Sequence, residues 1–199
     1  MDERSMNVTR QKELEVPVRS QSAQNAGHAA APIRNAGEGH ARFDGDVFRS
    51  VMRQLVGGVT VITTANEGKP HGFTATAVCS VCSEPPTVLI VVNRTSRTHP
   101  HIDARRRFAV NMLAADQRHI ADMFAGKRDD QFDEMTYTTP DNGGPVFEGV
   151  AAFLQCVVNS RLDVGTHTIF IGEVIGGGTS DSGPLIYHSA RYGLVKQLD

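Results

Sequence analysis

The run from Gly72 to His101, GFTATAVCSVCSEPPTVLIVVNRTSRTHPH, concentrates the residue types from which a binding site could be built. Its first part carries small and hydroxylic residues in extended rhythm. Side chains alternate across a strand, so Thr74 and Thr76 share one face while Ala75 and Ala77 share the other. Small side chains leave backbone amides open to a flat ligand, and the threonine hydroxyls could bond its polar edge. After the Glu84-Pro85-Pro86 corner, the apolar strand TVLIVV runs into Asn93, Arg94, Thr95, Ser96, Arg97 and Thr98, a loop crowded with donors. Ser96 or Thr98 can cap a following helix, whose first amides and Arg94 or Arg97 would then face a phosphate. Together the two halves describe a nucleotide-like cofactor site.

Other candidates are weaker. Cys79 and Cys82 are three residues apart, which on a regular strand places them on opposite faces, and no second pair exists to complete a metal site. We therefore expect two buried small residues there and no metal centre. His99 and His101 flank Pro100, which suits a helix start with exposed histidines. His167, after Gly165, could pin a carboxamide or a ring carbonyl, although a lone histidine is more often a structural hydrogen-bonder. The triplet Gly176–Gly178 opens no helix and is not a dinucleotide fingerprint. No phosphate-binding P-loop, nucleophile elbow or paired-carboxylate constellation occurs, which removes the usual kinase and hydrolase readings.

The elements that would hold these residues are mostly strands. A helix is predicted from Asp44 to Val56, with Phe48, Val51, Met52 and Leu55 at helical spacing and Gly57-Gly58 at its end. VTVITTA and HGFTATAV read as strands joined by the turn NEGKP. After TVLIVV come a short helix (about 98–107), the strand FAVNML, a helix over 116–125 and a long loop over 126–150. The remainder reverts to strands: AAFLQCVVNSRLDV, THTIFIGEVIGG, PLIYH and RYGLV. Without strand–helix alternation this is a mainly β fold, an antiparallel barrel with peripheral helices.

Composition agrees with one soluble domain. The 199 residues are 40% hydrophobic and 21% charged, values ordinary for a globular chain. A net charge of −2 offers no basic excess for nucleic acid. No window approaches the ~18 consecutive apolar residues of a membrane span, and the N-terminus lacks a secretory apolar region. With three cysteines, an odd number, the expected compartment is the reducing cytoplasm. Residues 1–40 are polar and aperiodic and read as a flexible N-terminal extension, leaving 41–199 as the folded domain.

The ordered set GVTVITT, GKPHGFTATAVCSV, PPTVLIVVN, FAVNML, FAGK, GTHTIF and PLIYH resembles the short-chain flavin reductases that serve two-component monooxygenases, such as the reductase component of 4-hydroxyphenylacetate 3-monooxygenase. The likeness spans about residues 43–195. It implies a split β-barrel of the FMN-binding type, usually a homodimer. Such a protein binds FMN or FAD, reduces it with NADH or NADPH, and releases it to a separate oxygenase. By position, Thr74, Ala75, Thr76, Ala77 and Ser80 would lie along the isoalloxazine and ribityl chain. Asn93, Arg94, Thr95, Ser96, Arg97 and Thr98 would hold the ribityl and phosphate end. Phe124, Ala125, Gly126 and Lys127 would close the site, and catalytic His167 would border the nicotinamide pocket with Tyr192 nearby. Cys82 departs from the usual Ser or Thr, and the N-terminal extension exceeds what the fold requires. A flavin-binding electron-transfer protein and an oxidase of a pyridoxine-type substrate remain as alternatives on the same barrel.

Overall fold

A computed structural model describes residues 43–126, 128–140 and 143–198. The expected N-terminal extension lies outside the described residues. Helix α1 spans Gly45–Met52, and the Asp44 carboxylate caps it by accepting the N–H groups of Asp46 (2.6 Å) and Val47 (3.2 Å). The helix ends earlier than its spacing predicts, and it buries none of its residues. Phe48 is 56% and Val51 60% exposed, so an apolar face stands open to solvent. Gly57-Gly58 does not stop this helix. It forms strand β1, which pairs with β11 (Leu185–His188), and β11 pairs in turn with β12 (Arg191–Leu194).

The main sheet contains β2 (Thr60–Asn66), β3 (Lys69–Ala75), β4 (Val78–Ser83), β5 (Pro86–Asn93), β6 (Arg107–Met112), β9 (Ala152–Val164) and β10 (His167–Thr179). Its order is β3-β2-β6-β9-β10-β5-β4, antiparallel throughout. The two outermost strands, β3 and β4, are consecutive in the chain and joined only by Thr76-Ala77. The TATAV run is therefore not one strand: β3 stops opposite Thr60, and the chain crosses from one edge of the sheet to the other. β3 and β4 do not pair with each other, so the sheet is open at this seam. The barrel expected from the strand pattern is not closed by hydrogen bonds.

Alternation along β2 sends Val61 to one core and Ile62 to another. One cluster joins Ile62, Ile90, Phe108 and Phe170 to Ile102 of helix α2 (His99–Arg105). The other joins Val61, Leu113 and Phe147 to Ile120 and Phe124 of helix α3 (Arg118–Ala125). The region expected to be a loop contributes two short strands, β7 (Tyr137–Thr138) and β8 (Val146–Phe147), which pair. Asn111, fully buried, anchors β8. Its amide donates to Val61 O, Thr63 Oγ1 and Pro145 O at 3.1–3.2 Å, and its Oδ1 accepts the Phe147 N–H at 3.0 Å.

Cys79 and Cys82 are exposed, contrary to the expectation of burial. A register shift between Ser80 and Cys82 sets Cys79 opposite Leu89 and Cys82 opposite Thr87, which puts both on one face. Cys156 is the buried thiol, and burial pushes its pKa up to about 12.

Candidate functional site

Thr74, Ala75 and Thr76 at the end of β3 line one cavity with Val59, Ala125, Tyr187 and Tyr192, about 250 Å³ in volume. Thr74 does not offer its hydroxyl to this space. It donates to Ala121 O at 2.7 Å and so fastens α3 to β3. Two residues upstream, a Cβ at Gly72 would meet the Phe124 ring at 2.9 Å, so glycine permits this close approach of helix and strand. Phe124 is consequently core, 1% exposed among Phe132 and Phe147, and not a wall of the site as its motif position implied. Ala125 and Gly126 are exposed beside it. Lys127 lies outside the described residues.

The opposite wall is aromatic. The rings of Tyr187 and Tyr192 meet edge to face at 5.3 Å. Tyr192 donates its hydroxyl to Asp122 at 2.8 Å, and the Arg118 guanidinium lies 5.2 Å from its ring centre. Burial first, then the Asp122 bond, pushes the Tyr192 phenol up to about 12. Tyr187 lines this cavity too, a residue that motif spacing missed. Its signal was the alternation in PLIYH, which sets Tyr187 opposite Gly57 of β1.

Thr76 and Ala77 are exposed where the chain leaves β3. Their carbonyls accept the N–H groups of Val78 (3.1 Å) and Val91 (3.2 Å). Ser80 is exposed on β4, opposite Val88, and does not line the Thr74–Thr76 cavity.

The donor-rich turn is partly turned inward. Asn93 Oδ1 accepts both the N–H and the hydroxyl of Thr95 at 2.9 Å. Arg94 is tied to Gly165 O at 2.6 Å, and Arg97 reaches the Asp129 carboxylate and Arg128 O. Thr98, at the helix N-cap position, makes no cap bond. Its buried hydroxyl donates to Gly72 O at 3.1 Å instead. The turn is thus a rigid shelf between β5 and β3, with half-buried Ser96 and exposed Arg97 on it.

His167 begins β10 directly opposite Asn93, half-buried, with its Nδ1 2.9 Å from Thr166 Oγ1. Tyr192 lines the Thr74–Thr76 cavity, whereas His167 stands at the start of β10, opposite Asn93. His99 is not an exposed histidine. Its Nε2 lies 2.8 Å from Thr168 Oγ1, and that hydroxyl donates to Asp163 at 2.6 Å. The hydroxyl proton is committed to Asp163, so Nε2–H of His99 is the donor to Thr168. The Thr168 bond is the main reason that the Asp163 carboxyl is held below its usual range. This chain of bonds pins the start of α2 to β10 beside His167.

The arrangement sets a cavity between β3 and a pair of tyrosines, with the polar turn fastened to the same strand at Gly72. The family model of the flavin reductase like domain matches residues 52–196, and the chain belongs to that family. It is 40% identical over 154 residues to an NADH flavin reductase of Kitasatospora aureofaciens, covering 75% of this chain and 81% of the relative. It is 37% identical over 146 residues to the reductase component of a 4-nitrophenol 4-monooxygenase/4-nitrocatechol 2-monooxygenase of Rhodococcus opacus, covering 73% of this chain and 78% of that one. Among solved structures it resembles the Streptomyces globisporus NADH:FAD oxidoreductase SgcE6 in complex with NAD and FAD fragments. That match has a TM-score of 0.73 and 32% identity over 79% of this chain and 98% of the other.

Proposed function

We propose that this chain is an NADH-dependent flavin reductase that reduces FMN or FAD and passes the free reduced flavin to a separate monooxygenase. One observation carries the reading. Thr74, Ala75, Thr76 and Ala125, which the family motif assigns to the flavin, line a single cavity although about 50 residues separate the strand from the helix end. The residues present fit the group: small side chains on β3, an aromatic wall, and a shelf of donors on which a phosphate can rest. Bound flavin supplies the hydride acceptor, so the protein's task is positioning.

In this reading the amides of Thr76 and Ala77 donate to the carbonyl edge of the ring and favour negative charge there. Ala75 and Ala125 keep the cavity wide enough for a flat ring, and Tyr187 with Tyr192 excludes water from one side. Ser96 and Arg97 hold the phosphate end. His167, oriented by Thr166, engages the nicotinamide carboxamide at the rim. No side chain has to act as nucleophile, consistent with the lack of a nucleophile–base motif in the sequence. We read the seven-stranded sheet as that of a split barrel, and the protein works in the cytoplasm, where exposed Cys79 and Cys82 remain reduced.

NADH oxidation followed with and without added FMN or FAD tests this function. We expect turnover that requires flavin; no flavin-dependent oxidation removes the proposal, and a tightly held flavin inert towards NADH makes the chain an electron carrier instead. The exposed apolar face of α1 supports a homodimer, since a helix buries such a stripe against something. Phe48→Glu with Val51→Glu is expected to convert a dimer to a monomer in size-exclusion chromatography with light scattering. A wild type that is already monomeric removes this interface.

A further inference from the structure

A second cavity, about 410 Å³, opens where β3 begins. Three segments wall it: Lys69–Gly72 of β3, Arg97–His101 at the start of α2, and the loop carrying Arg128, Asp129 and Asp133. Two features set it apart. The first is charge: Lys69, Arg97 and Arg128 bring cations from three segments, Arg97 paired with Asp129 and Arg128 with Asp130, and Asp133 adds a further carboxylate. The second is a flat surface. His71 and His101 stack with ring centres 3.5 Å apart and planes within 7°. Asn66 Nδ2, 3.3 Å from His101 Nδ1, steadies the pair. Burial, followed by the fields of His101, Lys69 and Arg97, holds the His71 imidazole below its usual range. The neutral form of the ring is thereby favoured, and it presents an uncharged π face.

This cavity adjoins the flavin site. Gly72 lines the one and Thr74 the other, two positions apart on the same strand, about 7 Å. The Thr98 hydroxyl bond to Gly72 O joins the phosphate shelf to this second space. A ligand lying along β3, with its ring at Thr76 and its phosphate near Arg97, would have Lys69 and the stacked imidazoles ahead of it. A mononucleotide ends at that phosphate. A dinucleotide continues into a second phosphate and a purine, which are the two chemistries that this cavity offers.

We propose that the cavity takes the adenylate half of FAD, its second phosphate beside Lys69 and Arg128 and its adenine against the His71–His101 stack, so that the protein prefers FAD to FMN. The inference rests on the flavin-reductase reading and narrows its substrate.

Quenching of flavin fluorescence measures the affinities of FAD and FMN directly, without turnover. The wild type is expected to bind FAD about 10-fold more tightly than FMN, in keeping with one base stacked on an aromatic face. AMP should displace FAD at concentrations that leave FMN bound. His101→Ala should bring the FAD affinity down to that of FMN while FMN binding stays as it was, which also shows that the variant is folded. Lys69→Ala, at an exposed position, should weaken FAD binding in the same selective way, and it serves if the histidine variant misfolds. Equal wild-type affinities for FAD and FMN, or parallel loss of both in Lys69→Ala, overturns the proposal. Binding of neither flavin removes both this inference and the function it rests on, whereas tight FMN binding without FAD preference removes this inference alone.

Discussion

Replacement of Ala125 by Phe should lower flavin-dependent kcat/KM for NADH oxidation by at least about 50-fold, ~2.3 kcal/mol of lost transition-state stabilisation. Ala125 ends α3, is exposed, and lines the cavity shared by Thr74–Thr76 and the two tyrosines. A phenyl ring there would fill the cavity proposed for the isoalloxazine while its Cβ stays at an exposed position. The melting temperature should accordingly move by no more than about 2 °C, since exposed substitutions stay within about 0.5 kcal/mol. Unchanged turnover in Ala125→Phe would mean that the flavin sits elsewhere. A collapse of stability would mean that the residue is structural.

The second large effect concerns folding. Asn111→Leu keeps nearly the same volume but removes the side-chain acceptor of the Phe147 N–H and the amide bond to Val61 O, both in the interior, while Thr63 Oγ1 and Pro145 O keep their bond to each other at 2.6 Å. Buried groups left unpaired cost about 1–3 kcal/mol each, partly relieved by rearrangement, and a total near 4 kcal/mol is expected. For a domain of this size that corresponds to a drop of about 12 °C in Tm. Denaturant and thermal unfolding measure it. A loss under about 1 kcal/mol would show that the segment around β8 holds its place without Asn111. Because Asn111 touches neither cavity, flavin affinity of the folded variant should match that of the wild type.

Much of the architecture was legible locally. TVLIVV, FAVNML and the strands of the C-terminal third appear where their apolar and β-branched residues predicted them, because burial on both faces or alternation leaves a pattern within a few residues. What escaped depends on distant partners. TATAV looks like one strand, yet β3 ends at Ala75 because β2 begins opposite it, at Thr60. The two short strands β7 and β8 exist because Tyr137 and Phe147 pack with Phe124 and Phe132, and no local periodicity reports that. Helical spacing in Phe48, Val51 and Met52 identified a helix but could not say that its apolar side is left exposed among the described residues.

The site divides in the same way. Thr74–Thr76 and Ala125 were found through family motifs and share a cavity. Phe124 was assigned to the site by position, whereas its contact with Gly72 places it in the core. Tyr187 was passed over because an isolated tyrosine in a short strand carries no motif. The His71–His101 stack was invisible for a simpler reason: its members are 30 residues apart, on different elements.

The open seam has a bearing on solubility as well. Strands with one unpaired margin can recruit extended segments of other molecules, and this sheet has two such margins, β3 and β4. Both carry deterrents. Pro70 interrupts the donor row of β3, Lys69 and Glu84 place charge at its start and just beyond the end of β4, and the irregularity between Ser80 and Cys82 kinks β4. A ligand groove on an unsealed sheet thereby avoids becoming a nucleus for fibrous association.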